Sequence, residues 1–199
     1  MKKQMTEWVT LEGRGVILEP LTHQRHDEFA QVIEEGELHR LWYTNIPSPA
    51  DLSKEIDRRL FLYERGTMLP FAVVDHRTSK AVGMTTYMNI DSHARRVEIG
   101  STWYARSVQR THINTEAKYL LLKYAFEELD CIAVEFRTHF LNHQSRKAIE
   151  RLGAKLDGVL RSHVLSKDGS VRDTCVYSII NCEWSAVKSH LEWQMVKPR

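Results

Sequence analysis

Glu98, His163 and Ser145 are the residues whose types and positions best suit chemistry. Glu98 falls inside the alternating run Val97 to Tyr104, which reads as a central strand. A carboxylate there is costly to bury without a partner. It therefore reads as a general base on a cleft, acting directly or through water, or else as the acid of a salt bridge to Arg95, Arg96 or Arg137. His163 is the rival base, because an unperturbed imidazole titrates near physiological pH; its alternative is a surface or packing histidine. Ser145 stands one turn into a helix opened by Asn142, where a hydroxyl bonds either to the local backbone or to a ligand. Glu135 and Arg137 share a strand face and read as structural.

A second kind of site needs no side chain. The polar stretch from Ala105 to Ile113 feeds a long helix, and the unpaired N–H groups and positive dipole at such a start suit a phosphate or pyrophosphate. Any strand–loop–helix unit has such an end, so the surrounding order must supply the meaning. The loop lacks the G-x-x-x-x-G-K-[ST] pattern, which ranks a nucleotide-phosphate enzyme last. Cys131, Cys175 and Cys182 show no C-x-x-C spacing, so neither a disulfide framework nor a metal site is expected. Cys131 and Cys175 sit in apolar runs and read as buried thiols. No Ser-His-Asp or Cys-His set for covalent catalysis stands out.

The elements that must position these groups follow from hydrophobic period and punctuation. Val16 to Pro20 reads as a strand, and Thr22 to Glu35 as a helix stopped by Gly36. A short helical piece follows at Leu38 to Trp42, then a helix from Asp51 to Tyr63 with Leu52, Ile56, Leu60 and Tyr63 on one side. Phe71 to Val74, Val82 to Met88 and Val97 to Tyr104 form an antiparallel meander, with Val97, Ile99, Ser101 and Trp103 sharing one face. Next come a helix capped by Asn114 with Ala117, Leu121, Ala125 and Leu129 inward, a strand over Cys131 to Thr138, and a helix from Asn142 to Leu152 stopped by Gly153. Leu156 to Leu165 and Asp173 to Ile180 make a hairpin about Lys167-Asp168-Gly169-Ser170, and Glu183 to Met195 is a last helix. The strand–helix–strand passage from 97 to 138 must join parallel strands if both lie in one sheet.

The 199 residues suit one domain, with residues 1–12 as an extension and 183–199 as a C-terminal helix and tail. A net charge of +2 with only short basic pairs argues against nucleic acid. No run is long enough to span a bilayer and no signal peptide follows the first lysines, so the expected location is cytoplasmic. Trp184 and Trp193, at helical spacing, read as packing or as a contact in a possible homodimer.

The ordered set Glu98-Ile99-Gly100, Asn114-Thr115-Glu116-Ala117, Tyr124-Ala125-Phe126-Glu127, Asn142-His143-Gln144-Ser145-Arg146, Arg151-Leu152-Gly153-Ala154 and Gly158-Val159-Leu160-Arg161 resembles the GNAT superfamily, in its RimJ/RimL-like branch of ribosomal-protein N-terminal acetyltransferases. The resemblance runs from Val16 to about Trp184. It implies an α/β (α+β) fold whose mixed, mostly antiparallel sheet of about seven strands is flanked by helices, with a central parallel pair splayed apart after Trp103-Tyr104. It implies acetyl-CoA as co-substrate and a primary amine as acceptor, either a protein or peptide N-terminus or a small molecule. The alternative is a non-catalytic coenzyme A-binding module of the same fold.

Residue by residue, the resemblance puts cofactor contacts at Trp103, Tyr104, Gln109, Arg110, Thr111, His112, Ile113, Asn114, Thr115, Asn142 and Ser145. A backbone N–H near Thr102 to Tyr104 would stabilise the oxyanion. Ser145 would hydrogen-bond or protonate the coenzyme A sulfur, with Glu98 or His163 as base. The loop departs from the family pattern, since His112 and Asn114 stand where small residues are usual; both residue types tolerate left-handed backbone. Trp42, Tyr43 and Asn45 lie in an aromatic-rich loop expected to line the acceptor site, with Trp42 as a core plug the alternative.

Overall fold

The computed structural model describes residues 4–166 and 169–197. Its order is β1 (Leu11–Glu12), β2 (Val16–Pro20), α1 (His26–Gly36), α2 (Leu52–Glu64), β3 (Met68–Asp75), β4 (Lys80–Asp91), β5 (Arg96–Tyr104), α3 (His112–Lys123), β6 (Ala133–His139), α4 (His143–Glu150), β7 (Lys155–Leu165), β8 (Val171–Ile180) and α5 (Trp184–Val196). The strands form one sheet in the order β1-β2-β3-β4-β5-β6-β8-β7. Every neighbouring pair is antiparallel except β5–β6, which α3 joins as a crossover. The sheet has eight strands rather than seven because the two residues of β1 fold back on β2, too short a segment to show a period.

Two cores sandwich the sheet. Under α3, α4 and α5 lie Val97, Ile99, Ile113, Leu121, Val134, Phe136, Ile149 and Leu191. Under α1 and α2 lie Phe29, Ile33, Leu52, Ile56, Met84 and Trp103. The ring of Phe29 meets Trp103 edge-on at 5.7 Å.

Several helix ends differ from expectation. Thr111, not Asn114, caps α3, accepting from Ile113 N at 3.3 Å. The earlier start places Ile113 and Ala117 together on the buried face. The left-handed residue after α1 is Glu37 (φ 46), not Gly36. Gly36 is small for another reason: a Cβ there would lie 2.9 Å from Leu38 Cγ. Asn142 does cap α4, accepting from Ser145 N at 3.0 Å, and Gly153 stops the following turn at φ 98. Helix α3 widens into a π turn at Tyr124–Glu128, where the Tyr87 hydroxyl donates to the Leu121 carbonyl. In the last hairpin Gly169 has φ 82; Lys167 and Asp168 of the expected turn lie outside the described residues.

Candidate active site

The parallel pair is joined only from Arg96↔Ala133 to Glu98↔Glu135. Beyond Glu98, β5 runs on to Tyr104 unpaired on that side, while β6 stays zipped to β8 as far as His139↔Thr174. The gap thus opens at Ile99, earlier than the expected Trp103-Tyr104.

A bulge on the other edge of β5 shapes this gap. Thr86 faces Gly100 but Met84 faces Trp103, so Ser101 and Thr102 oppose the single residue Thr85. Ser101 is left-handed, at φ 47. The extra residue breaks the alternation read from the sequence: Ile99 enters the core under α3, whereas Trp103 enters the core under α1 and α2. After the bulge, Ala105 N–H donates to Val82 O at 2.7 Å. N–H groups alternate sides along a strand, so the Tyr104 N–H points away from β4, into the gap.

Buried polar groups surround the bulge. Lys118 of α3 donates to Thr85 Oγ1 at 3.0 Å and to Thr102 Oγ1 at 2.7 Å. Its amine is pushed down to about 7 by burial. From the opposite face Arg59 of α2, 2% exposed, donates to Thr86 Oγ1 at 2.8 Å and Ser101 O at 3.2 Å, and pairs with Glu55 at 2.8 Å. Trp103 Nε1 and the Tyr104 hydroxyl are buried with no hydrogen-bond partner among the described residues, and burial raises the Tyr104 hydroxyl further above its usual value.

Residues opposite in a ladder share a face. Glu98, Glu135, Arg137, His139 and Thr174 therefore lie on the α1–α2 side of the sheet, along the gap. Glu98 is 5% exposed; Asn89 donates to its Oε2 at 2.7 Å, and Arg137 Nε lies 3.6 Å away. Burial outweighs these partners and raises its pKa. His163 is exposed on β7, with Nδ1 3.1 Å from Thr174 Oγ1, two strands from the gap. Trp42 does not plug the core: it is 61% exposed and its ring lies 5.1 Å from His139 and 5.5 Å from Tyr43. Asn45 is exposed beside it and Tyr43 half-buried.

The opposite side carries the two helix starts. In the loop before α3, the left-handed residue is Arg110 (φ 62), and His112 and Asn114 are already helical. Neither 112 nor 114 therefore needs a left-handed backbone, and the left-handed turn of the loop falls two residues before His112. The Gln109 amide donates to Tyr104 O at 3.1 Å, and the Thr111 hydroxyl donates to Val108 O at 2.6 Å. Ile113 and Thr115 are buried, and His112 abuts Gly15. These side chains are held by the protein itself, which leaves the first-turn amides of His112 and Asn114 without an intrahelical acceptor, as at any helix start. Helix α4 follows β6 as α3 follows β5, so both helices start at the same end of the parallel pair, and the first turn of α4 carries a half-buried Ser145.

Residues 16–155 match the family described as "Acetyltransferase (GNAT) domain". The chain belongs to the GNAT acetyltransferase family. A GCN5-related N-acetyltransferase from Brucella melitensis is 32% identical, with a TM-score of 0.84 over 94% of this chain and 86% of that one. The candidate ribosomal N-acetyltransferase YdaF of Bacillus subtilis (strain 168) is 35% identical over 106 residues, 53% of this chain. The chain spans a little over half, 57%, of that relative's length. RimJ of Mycobacterium smegmatis, in complex with CoA-disulfide, shares the fold at 20% identity, with a TM-score of 0.79 over 98% of this chain and 97% of that one.

GNAT enzymes take their acetyl group from acetyl-CoA, and the residues here fit that co-substrate. The gap past Glu98 offers an unpaired strand edge, the Tyr104 amide points into it, and the start of α3 offers free amides at its α3–α4 side. Sequence reading missed Arg59 and Lys118, although both lie on buried stripes: 59 with 52, 56 and 63, and 118 with 121, 122 and 125. Among the described residues, no cluster of three or more His, Cys, Asp or Glu could hold a metal ion, and no helix is long and apolar enough to cross a membrane.

Proposed function

We propose that this chain works as one acetyltransferase domain that acetylates the amino terminus of a protein or peptide by direct attack of the neutral amine. The reading rests on one observation above all: the parallel strands part after Glu98 with the Tyr104 N–H turned into the opening. Acetyl-CoA supplies a thioester carbonyl for the amine and a thiolate leaving group. On the chain's side, the Tyr104 amide meets the negative charge developing on the carbonyl oxygen. Ser145, its own amide engaged by Asn142, is half-buried and offers its hydroxyl as donor to the departing sulfur. Arg110, His112 and Asn114 border the amides offered to the diphosphate, with Asn142 a further contact.

With the donor on the α3–α4 side, the acceptor approaches from the α1–α2 side, past Trp42, Tyr43 and Asn45. Glu98 lies on that side at the gap and takes the proton of the attacking amine, directly or through water; His163, farther out, is the rival. The exposed Trp42 suits a peptide chain laid across the mouth, and the relationship to a candidate ribosomal N-acetyltransferase supports a protein acceptor over a small amine.

The test offers acetyl-CoA and a panel of N-terminal peptides, free amino acids, polyamines and amine drugs, following thiol release and the mass of the product. Acetylation of peptide α-amines in preference to the small amines is expected. Turnover on small amines alone contradicts the acceptor assignment, and cofactor binding without turnover on anything contradicts the enzyme's proposed chemistry.

A further inference from the structure

The hydrogen bonds around the Ser101–Thr102 bulge can be fully accounted for on the α3 side. Lys118 Nζ donates to Thr85 Oγ1 and Thr102 Oγ1. Thr102 donates to Gly100 O at 3.2 Å, so in the 2.8 Å contact between the two threonines Thr85 is the donor. Thr102 Oγ1 then accepts twice and Thr85 Oγ1 once. Lys118 uses two N–H groups, the number a neutral amine possesses. No carboxylate lies within ion-pair distance of Lys118 among the described residues. A charged ammonium there would carry a third N–H with no acceptor in this triangle.

The α2 side is held by different chemistry. Arg59 is an ionised guanidinium paired with Glu55, and its fork spans the strands at the same level, to Thr86 Oγ1 on β4 and to Ser101 O on β5. Four consecutive-strand positions are thus tied from two faces: Thr85 and Thr86 on β4, Ser101 and Thr102 on β5. The bulge carries a left-handed, non-glycine residue, Ser101 (φ 47), a backbone state that costs about 1 kcal/mol and persists where the surroundings impose it.

What the bulge decides is direction. A one-residue slip in register turns every following side chain and N–H group to the other side. Without the extra residue, the Tyr104 N–H would point to β4 and the Trp103 N–H would point into the gap. Trp103 would also leave its place against Phe29.

We propose that Lys118 and Arg59 are positioning residues for acetyl transfer: by clamping the Ser101–Thr102 bulge from both faces of the sheet, they fix the Tyr104 amide as the group presented to the acyl donor. The role rests on the acetyltransferase reading above, but the clamp can be tested apart from it. Lys118 reaches the bulge through the Thr85 and Thr102 hydroxyls, and Arg59 through the Thr86 hydroxyl and the Ser101 carbonyl, so both act on the Tyr104 amide through backbone geometry.

The experiment uses the full chain and four variants: Lys118→Met, Thr102→Val, Thr102→Ser and Arg59→Lys. Amide hydrogen exchange is measured for 100–105, with β3 as the internal control, and kcat and KM for acetyl-CoA are measured with an acetylatable peptide. In Lys118→Met and Thr102→Val, exchange at 101–104 is expected to rise about tenfold or more while β3 is unchanged. kcat is expected to fall about tenfold or more with KM for acetyl-CoA altered less than about threefold, the signature of a lost donor to developing charge. Thr102→Ser, which keeps the hydroxyl, restores both. Arg59→Lys keeps the charge but not the fork, and behaves like Lys118→Met. Wild-type exchange at 101–104 in Lys118→Met and Thr102→Val overturns the clamp. A loosened bulge with kcat intact overturns its role in positioning. A wild-type chain that acetylates nothing would overturn the enzymatic reading instead, and the exchange arm would still decide the clamp.

Discussion

Asn89 Nδ2 donates to Glu98 Oε2 at 2.7 Å, tying the end of β4 to the last β5 residue that still pairs with β6. Glu98 is therefore held at the fork of the sheet, oriented but poorly hydrated. Burial raises its pKa, so its proton affinity is greater than that of an ordinary carboxylate. Glu98→Gln is expected to lower kcat/KM about a hundredfold near neutral pH. The loss should be largest at lower pH, where the acceptor amine arrives protonated, and should shrink as pH rises. A pH–rate profile that is unchanged in the variant clears Glu98 of the base role.

The same substitution has a stability consequence of opposite sign. A carboxyl whose folded pKa lies above its unfolded value of 4.5 loses stability as pH rises between the two, and the cost persists above the folded value. Glu98→Gln should melt no lower than wild type at pH 7, and any advantage should vanish below about pH 4. Thermal melts across pH check this. A variant less stable than wild type at pH 7 means the Asn89 and Arg137 contacts outweigh the burial cost.

Ser145→Ala removes a hydroxyl while leaving the Asn142 cap on the Ser145 amide intact. kcat should fall about ten- to a hundredfold, with little change in the dissociation constant for coenzyme A. Asn142→Ala should instead lower stability by about 1 kcal/mol through loss of the cap. Equal kcat in wild type and Ser145→Ala removes the serine from the chemistry.

Lys118 predicts an unusual pH dependence of folding. Its pKa falls from 10.5 in the open chain to about 7 in the fold, so the unfolded chain binds more protons between those values. Stability should therefore rise with pH from about 7 towards 10.5, by an amount on the order of a few kcal/mol, and Lys118→Met should lack that rise. Denaturant melts at pH 7 and pH 9.5 on both proteins measure the difference. Parallel curves would show that Lys118 is charged in the fold.

Much of this architecture was legible in the chain. Short apolar runs marked β2 and β3, alternation marked β4 to β6, and the Asn142 cap and Gly153 stop bounded the helix that carries Ser145. What was not legible has physical causes. Thr111, Asn114 and Thr115 are all capping-type residues, and only the burial of Ile113 and Ala117 selects among them. The bulge leaves no mark in the pattern of Val97 to Tyr104, because Ile99 and Trp103 are both apolar and either face would accept them. Arg59 and Lys118 drew no reading, because a stripe is found by its apolar members and a buried cation on it leaves no such mark, although both positions fall on buried stripes. Of the acid–base candidates, Glu98 is the last β5 residue paired with β6 and lies 3.6 Å from Arg137, one of the ion-pair partners read from the sequence, and His163 lies on the same face but two strands away.

The opening between β5 and β6 is proposed to take the acyl donor. An amide NMR titration of the full chain with acetyl-CoA tests it most directly. The predicted result is saturable shifts concentrated at Thr102 to Tyr104 and at His112 to Asn114, with Tyr104 moving downfield as its N–H gains an acceptor. No shift at Tyr104, or shifts confined to surfaces away from both sites, would contradict the account.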